Sequence, residues 1–268
     1  MRHLILLLFL FSAQVAKAQE LYVFTEPASN MSAKSIGIRA NNYLMFNNST
    51  KKVNYHLVPE IMWGLSKKIM LHAESFLSNR NNRFVAEGAG VYIKYRFYSE
   101  DEVHSHFRMA LYGRYSFNSS DIHQQAIDLN GHNSGYETGL ITTKLVNKMA
   151  LSATASFMHA TDNGKEKFVF ANPNRNALGY TASVGKLMLP KEYKGYKQTN
   201  LNLMLEMLGQ VNLASGKVFL DMAPSVQLIF LSRMRFDAGY RIPLVKDLGR
   251  TTPGGFLVRL EYNIFNAY

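Results

Sequence analysis

Phe256-Leu257-Val258-Arg259-Leu260-Glu261-Tyr262-Asn263-Ile264 repeats with a period of two. Phe256, Val258, Leu260, Tyr262 and Ile264 share one face, and Arg259, Glu261 and Asn263 share the other. Side chains of a strand alternate between faces, so this stretch is a strand with one apolar and one charged side. The preceding segment does the same, with Met234, Phe236, Ala238, Tyr240 and Ile242 against Arg233, Arg235, Asp237 and Arg241. Before it, Val218, Leu220, Met222, Val226 and Leu228 oppose Asp221, Ser225 and Gln227, and Leu201, Leu203, Leu205, Met207 and Val211 oppose Asn202, Glu206 and Gln210. Wound as helices, these stretches would carry charge all round the cylinder.

The pattern continues upstream in weaker form. Met149, Leu151, Ala153, Ala155 and Phe157 oppose Ser152, Thr154 and Ser156. Phe107, Met109, Leu111 and Tyr115 oppose Arg108, Tyr112 and Arg114, and Ala89, Val91, Ile93, Tyr95 and Phe97 oppose Tyr92, Lys94 and Arg96. Strands are expected at 34–46, 53–65, 67–77, 86–98, 105–117, 135–146, 148–159, 177–189, 199–212, 217–230, 232–244 and 255–267, about twelve in all. Tight turns fall at Ser66-Lys67, Asn147-Lys148 and Leu231-Ser232, and long polar connections at 118–134 and 160–176. The 99–104 and 190–198 connections are longer than that alternation of short and long would ask.

The other end of the chain reads as an export signal. Arg2-His3 precedes the apolar run Leu4 to Phe11, and Ala16-Lys17-Ala18 offers small residues to signal peptidase. The run is too short to cross a bilayer, so residues 1–18 are expected to be removed. That loses Arg2 and Lys17 and leaves 28 basic against 19 acidic side chains. The excess is scattered singly along alternating segments, which speaks for a lumen and rims and against a nucleic-acid stripe. There is no cysteine, so neither a lipidated Cys nor a disulfide framework is available. Beyond the leader no apolar run approaches 18 residues, yet the whole chain carries 15 Tyr and 17 Phe.

A soluble sandwich or small barrel would show the same period with its apolar face inward. Strands of ten or more residues favour a tilted membrane crossing, as do aromatics near strand ends (Tyr43, Trp63, Tyr95, Phe97, Tyr115, Phe117, Tyr240) and small residues on the apolar faces (Ala89, Ala153, Ala155, Ala182). The mature chain resembles a Gram-negative outer-membrane β-barrel. Its end, Leu260 to Tyr268, resembles the C-terminal insertion signal of that class, with Tyr268 in the terminal aromatic position and Asn266 interrupting the apolar face. The resemblance implies an all-β, antiparallel up-and-down transmembrane barrel at 34–268 in the outer membrane. Residues 19–33 would be a periplasmic tail or a plug. The expected partners are outer-membrane lipid, the outer-membrane assembly machinery and an unidentified small solute, with no nucleic acid.

The inward face is where chemistry is expected. Arg96, Arg108, Arg114, Glu206, Asp221, Arg233, Arg235, Asp237, Arg241, Arg259 and Glu261 form the candidate lumen network. Such charges must be paired or wet, either as a lattice that braces the barrel or as the lining of a channel for small solutes. The arginines of the last four strands would favour anions. His56, Glu60, His72 and Glu74 share a hairpin, but their spacing matches no metal motif, and neither metal nor cofactor is expected. Pairing round the Ser66-Lys67 turn would set His56 near residue 77 and Glu60 near 73. Gly131-His132-Asn133-Ser134-Gly135 resembles, in His132 and Ser134 alone, the lipid-facing His-x-Ser pair of outer-membrane acyl hydrolases. The leading expectation is a channel or transporter and not an enzyme, with a non-conducting structural or binding barrel second and an acyl hydrolase using His132 and Ser134 third.

Overall fold

The computed structural model describes residues 22–47, 52–80, 83–102, 105–122, 124–165, 175–192, 195 and 197–268. The expected leader at 1–18 lies outside the described residues. Among those described there are twelve strands: β1 Ser35–Phe46, β2 Val53–Gly64, β3 Ile69–Ser78, β4 Val85–Asp101, β5 Ser105–Asn118, β6 Ser134–Val146, β7 Met149–Thr161, β8 Asn176–Leu189, β9 Asn200–Asn212, β10 Val218–Phe230, β11 Met234–Lys246 and β12 Gly254–Ile264. Each pairs antiparallel with its neighbours in sequence, and β1 pairs with β12 to close the barrel. Closure leaves no row of unpaired backbone groups at a sheet edge, the condition a sheet must meet in lipid. Ile36 lies opposite Ile264, so both ends of the barrel chain meet at one rim, here called the terminal rim. No helix among the described residues is long and apolar enough to cross a membrane.

Two ends depart from the sequence reading by three residues. β4 runs to Asp101, past the expected 98, because after a register shift at Arg96/Tyr98 the ladder continues through Glu100 opposite Phe107 and Asp101 opposite His106. Residues 99–101 of the connection expected at 99–104 are therefore strand. β12 stops at Ile264, short of the expected 267: Asn266 takes a left-handed φ of 52°, and the Ala267 amide donates to the Lys34 carbonyl (2.8 Å). The tight turns at Asn147 and at Leu231-Ser232 carry the positive φ that two-residue hairpins require.

The faces are inverted relative to a water-soluble protein. Ile38, Leu111, Leu203 and Leu260 on the outward faces are about half exposed, whereas Lys94, Glu206, Asp221 and Asp237 on the inward faces are fully buried. Aromatic side chains cluster outside at both rims. Phe46, Phe256 and Tyr240 pack edge-on or tilted at the far rim, and Tyr98 meets Phe107 edge-on at the terminal rim. An apolar band between two aromatic girdles is the surface that a bilayer requires.

Candidate functional site

The lumen is built by odd-numbered positions of β11 and β12 and by the matching register elsewhere, and it is occupied by two segments of the chain itself. Residues 22–33 lie inside its terminal half. Glu206 of β9 turns both carboxylate oxygens to this segment. They accept the amides of Val23 (2.9 Å), Phe24 (3.0 Å) and Thr25 (2.8 Å) and the Thr25 hydroxyl (2.8 Å). Lys94 of β4 donates to the carbonyls of Pro27 (2.7 Å) and Ser29 (2.9 Å), and Arg235 of β11 to that of Tyr22 (2.5 Å). Arg108 reaches the Ser29 hydroxyl (2.8 Å), and the Ala28 amide donates to Thr143 (2.9 Å). Extended backbone inside a barrel has no ladder partner, so inward side chains supply its hydrogen bonds.

Charge holds the segment as well. Glu26 pairs with Arg39 of β1 (2.9 Å) and lies 3.6 Å from Lys94. Burial pushes the Glu26 carboxyl up, but Arg39 and Lys94 outweigh it and hold the group well below the usual carboxylate range. Tyr22 and Val23 pack with Leu145, Ala150, Met204 and Leu257. A cavity of about 30 Å³ between segment and wall, lined by Glu26, Arg39, Met62 and Glu261 among others, has room for a water molecule and little more.

The connection at 119–133 fills the far half. Gln210 of β9 satisfies both backbone groups of Ile127, accepting its amide (2.9 Å) and donating to its carbonyl (2.8 Å). Asn130 donates to the Tyr43 hydroxyl (2.9 Å) and accepts from Arg114 (3.2 Å), while the Leu129 carbonyl accepts from Ser116 (2.5 Å). Ile122, Ile127 and Leu129 pack on Ala160 and Ala177, and Ala126 packs on Phe219 and Leu248. At one corner His132 accepts at Nδ1 from Arg80, its Nε2 lies 3.6 Å from Asp128, and its ring is 5.5 Å from that of His56. An imidazole that accepts from a guanidinium is neutral. Burial first, then Arg80, pushes His132 down to about 3, while burial pushes Asp128 up and the Asn130 amide that donates to its carboxylate helps hold it below its ordinary value. Gly131, at φ +115°, would drive a Cβ into the His56 ring, so glycine is required there.

Most of the residues expected in the network meet, and two do not. Arg235 pairs with Asp237 (2.7 Å) and approaches Glu261 (3.4 Å), and Arg39, with Glu261 (2.8 Å) and Glu60 (3.2 Å), links the two sides. Arg259 donates to Asn41 (2.6 Å) and lies 3.6 Å from Asp237. Asp221 accepts from Arg241 and from Arg250, the latter contributed by the 247–253 connection. Arg114 pairs with Glu74 (2.8 Å) and Arg108 with Asp101 (2.8 Å). Arg233 stands outside the lumen, exposed in the β10–β11 turn with its guanidinium 6.0 Å from the Phe265 ring centre, because the tight turn takes 231–233 out of the strand alternation. Arg96 lies at the terminal rim, donating to the Lys67 carbonyl (2.8 Å). Without Arg233, the inward Arg235, Arg241 and Arg259, with Arg250, face Glu206, Asp221, Asp237 and Glu261. The expected cationic excess of the last four strands is thereby absent.

The His/Glu hairpin pairs one residue away from the expected register, with His56 opposite Ser78 and Glu60 opposite Glu74. Residues opposed across a ladder share a face, so an inward His56 must face an inward partner. Glu60 then accepts from His72 Nδ1 (2.5 Å). Among the described residues no group of three His, Asp or Glu is placed to hold a metal. The lipid-facing placement expected for His132 and Ser134 is overturned. Ser134 is buried and its Oγ serves the Asn118 backbone, accepting the amide (2.8 Å) and donating to the carbonyl (3.0 Å), while His132 lies in the lumen loop beside Arg80. Gly135, at φ +146° between them and the regular strand, breaks the alternation on which that expectation rested.

The sequence reading missed Glu26, Asp128, Asn130 and Arg250 because they lie in stretches without periodicity. No family model matches the chain, and no curated protein matches it in sequence. Solved structures do resemble it. The outer membrane channel from Pseudomonas putida F1 is 12% identical, with a TM-score of 0.56 over 91% of this chain and 100% of that one. The fold is that of an outer-membrane β-barrel. The NanC porin, 9% identical with a TM-score of 0.49 over 86% of this chain and 98% of that one, is a looser match. At such identities the likeness extends to the fold.

Proposed function

We propose that this protein is a gated channel of the Gram-negative outer membrane, passing small polar solutes when residues 22–33 and the 119–133 connection leave the lumen. The terminal rim is then periplasmic, as an even strand number places both chain ends in barrels of this class. The observation that carries the reading is how residues 22–33 are held. Their described backbone is anchored by individual side chains (Glu206, Lys94, Thr143, Arg235) and lies in no strand ladder, so it can be exchanged for water one contact at a time. With the lumen carboxylates and guanidiniums paired, solute charge selects weakly and anions are not preferred.

A barrel permanently closed by the same contacts is the second reading, favoured by the complete saturation of Glu206. Planar-bilayer recording separates them. A variant lacking 22–33 and with 120–132 replaced by a short Gly-Ser turn is expected to show stepwise conductance, and the unaltered protein rare openings. A doubly trimmed barrel that folds and inserts yet never conducts overturns the channel.

A further inference from the structure

The outward wall over β6–β9 is not evenly apolar. It holds a groove of about 390 Å³, lined by Phe107, Thr142, Lys144, Leu151, Ala153, Ala182, Val184, Leu205 and Met207 among others. Register explains its shape. Thr142, Ala153 and Ala182 are directly opposed across β6, β7 and β8 and make a low floor, with Met207 beside them. One rung nearer the terminal rim Phe107, Lys144, Leu151, Val184 and Leu205 are opposed in the same way and stand higher. Lys186, opposite Met149, lies one rung further toward the rim, and both lysines are exposed. Below them Lys191 and Lys197 of the β8–β9 connection are exposed, beside one acid, Glu192. Lys148 is turned to the carbonyls of Pro190 (3.0 Å) and Lys191.

We infer that this groove binds one acyl chain of an anionic glycerophospholipid from the leaflet at the terminal rim, with its phosphate between Lys144 and Lys186. An outward lysine costs about 2–4 kcal/mol at the bilayer midplane and almost nothing at the interface. These two therefore mark the depth at which headgroups lie, and their flexible stems carry the ammonium groups to it. The floor of small side chains lets an acyl chain lie against the wall, and Phe107 and Met207 limit its sideways movement. A second copy of the barrel is the competing occupant of a small-residue surface. A two-fold interface there would bring the lysine pairs of both copies together with no carboxylate among the groove residues to offset them.

The test is native mass spectrometry of the full barrel in detergent with added phosphatidylglycerol, and with uncharged diacylglycerol as the reference probe. Phosphatidylglycerol is expected to remain bound and diacylglycerol to be lost. The pair Lys144→Gln and Lys186→Gln should weaken phosphatidylglycerol about thirtyfold, each lysine near a charged surface contributing about fivefold. Ala153→Phe with Ala182→Phe should abolish the adduct with both lysines intact, and Lys246→Gln at the far rim should leave it unchanged. Heat-modifiable gel mobility checks that each variant is folded. Equal retention by all folded variants overturns the proposal, as does a dimer cross-linked through Ala153 or Ala182.

Discussion

The two halves of the lumen are filled by different means. In the terminal half, residues 22–33 are gripped by full charges: Glu206 on three amides, Lys94 and Arg235 on carbonyls, Arg39 on Glu26. In the far half, the 119–133 connection rests mainly on neutral amides and apolar packing, through Gln210, Asn130, Ile127 and Leu129, with two cations added, Arg114 on Asn130 and Arg80 on Gly131 and the ionisable His132. Charged hydrogen bonds are stronger and more costly to leave unmade, whereas packing is spread over many weak contacts. One plug is thus keyed to a few residues, and the other to an area and to pH.

Glu206→Ala is the sharpest way to break this contrast. It strips the acceptor from three amides, each costing about 1–3 kcal/mol when left unpaired, so hydrogen exchange at Val23–Thr25 should accelerate by about a hundredfold or more. Exchange at Ile127 and Asn133 should stay unchanged; an equal rise there would mean that the two halves open as one unit.

Acidification should act in the opposite order. His132 is held at about 3 in the folded protein against 6.5 when free, so its contribution is complete above pH 6.5 and declines as pH falls from there toward 3. Asp128 and Glu26 are also depressed, and their contributions begin to fall only below the ordinary carboxylate values of about 4. Limited proteolysis between pH 7 and 5 should therefore expose 119–133 first and leave 22–33 protected. Simultaneous release would place control elsewhere. The smallest effect is expected from Gln210→Leu, which unpairs the Ile127 amide and carbonyl at about 2 kcal/mol, measurable as local exchange with no change at Val23.

The groove on β6–β9 and the lumen lattice were legible to different degrees. Lys144 shares the parity of Tyr136 and Leu140, so an outward lysine was visible in the sequence, but its alignment with Ala153 and Ala182 depends on register across three strands. Likewise Arg235, Asp237, Arg259 and Glu261 were recognisable as inward from alternation alone. Their pairing with Arg39 and Tyr22 was not, because more than 200 residues of chain separate Arg39 from Glu261 and Tyr22 from Arg235. Ser134 shows the limit of parity: one glycine at φ +146° is enough to undo it.

Alternation is a property of neighbouring residues, so about twelve strands with one apolar and one charged face could be read from the chain alone, whereas the closed barrel turned the apolar face outward. Only the tertiary structure decided that the lumen is filled and by what. Residues 22–33 and 119–133 carry no periodic signal, and their place is set by unpaired backbone groups meeting Glu206, Lys94 and Gln210 once the barrel has closed around them.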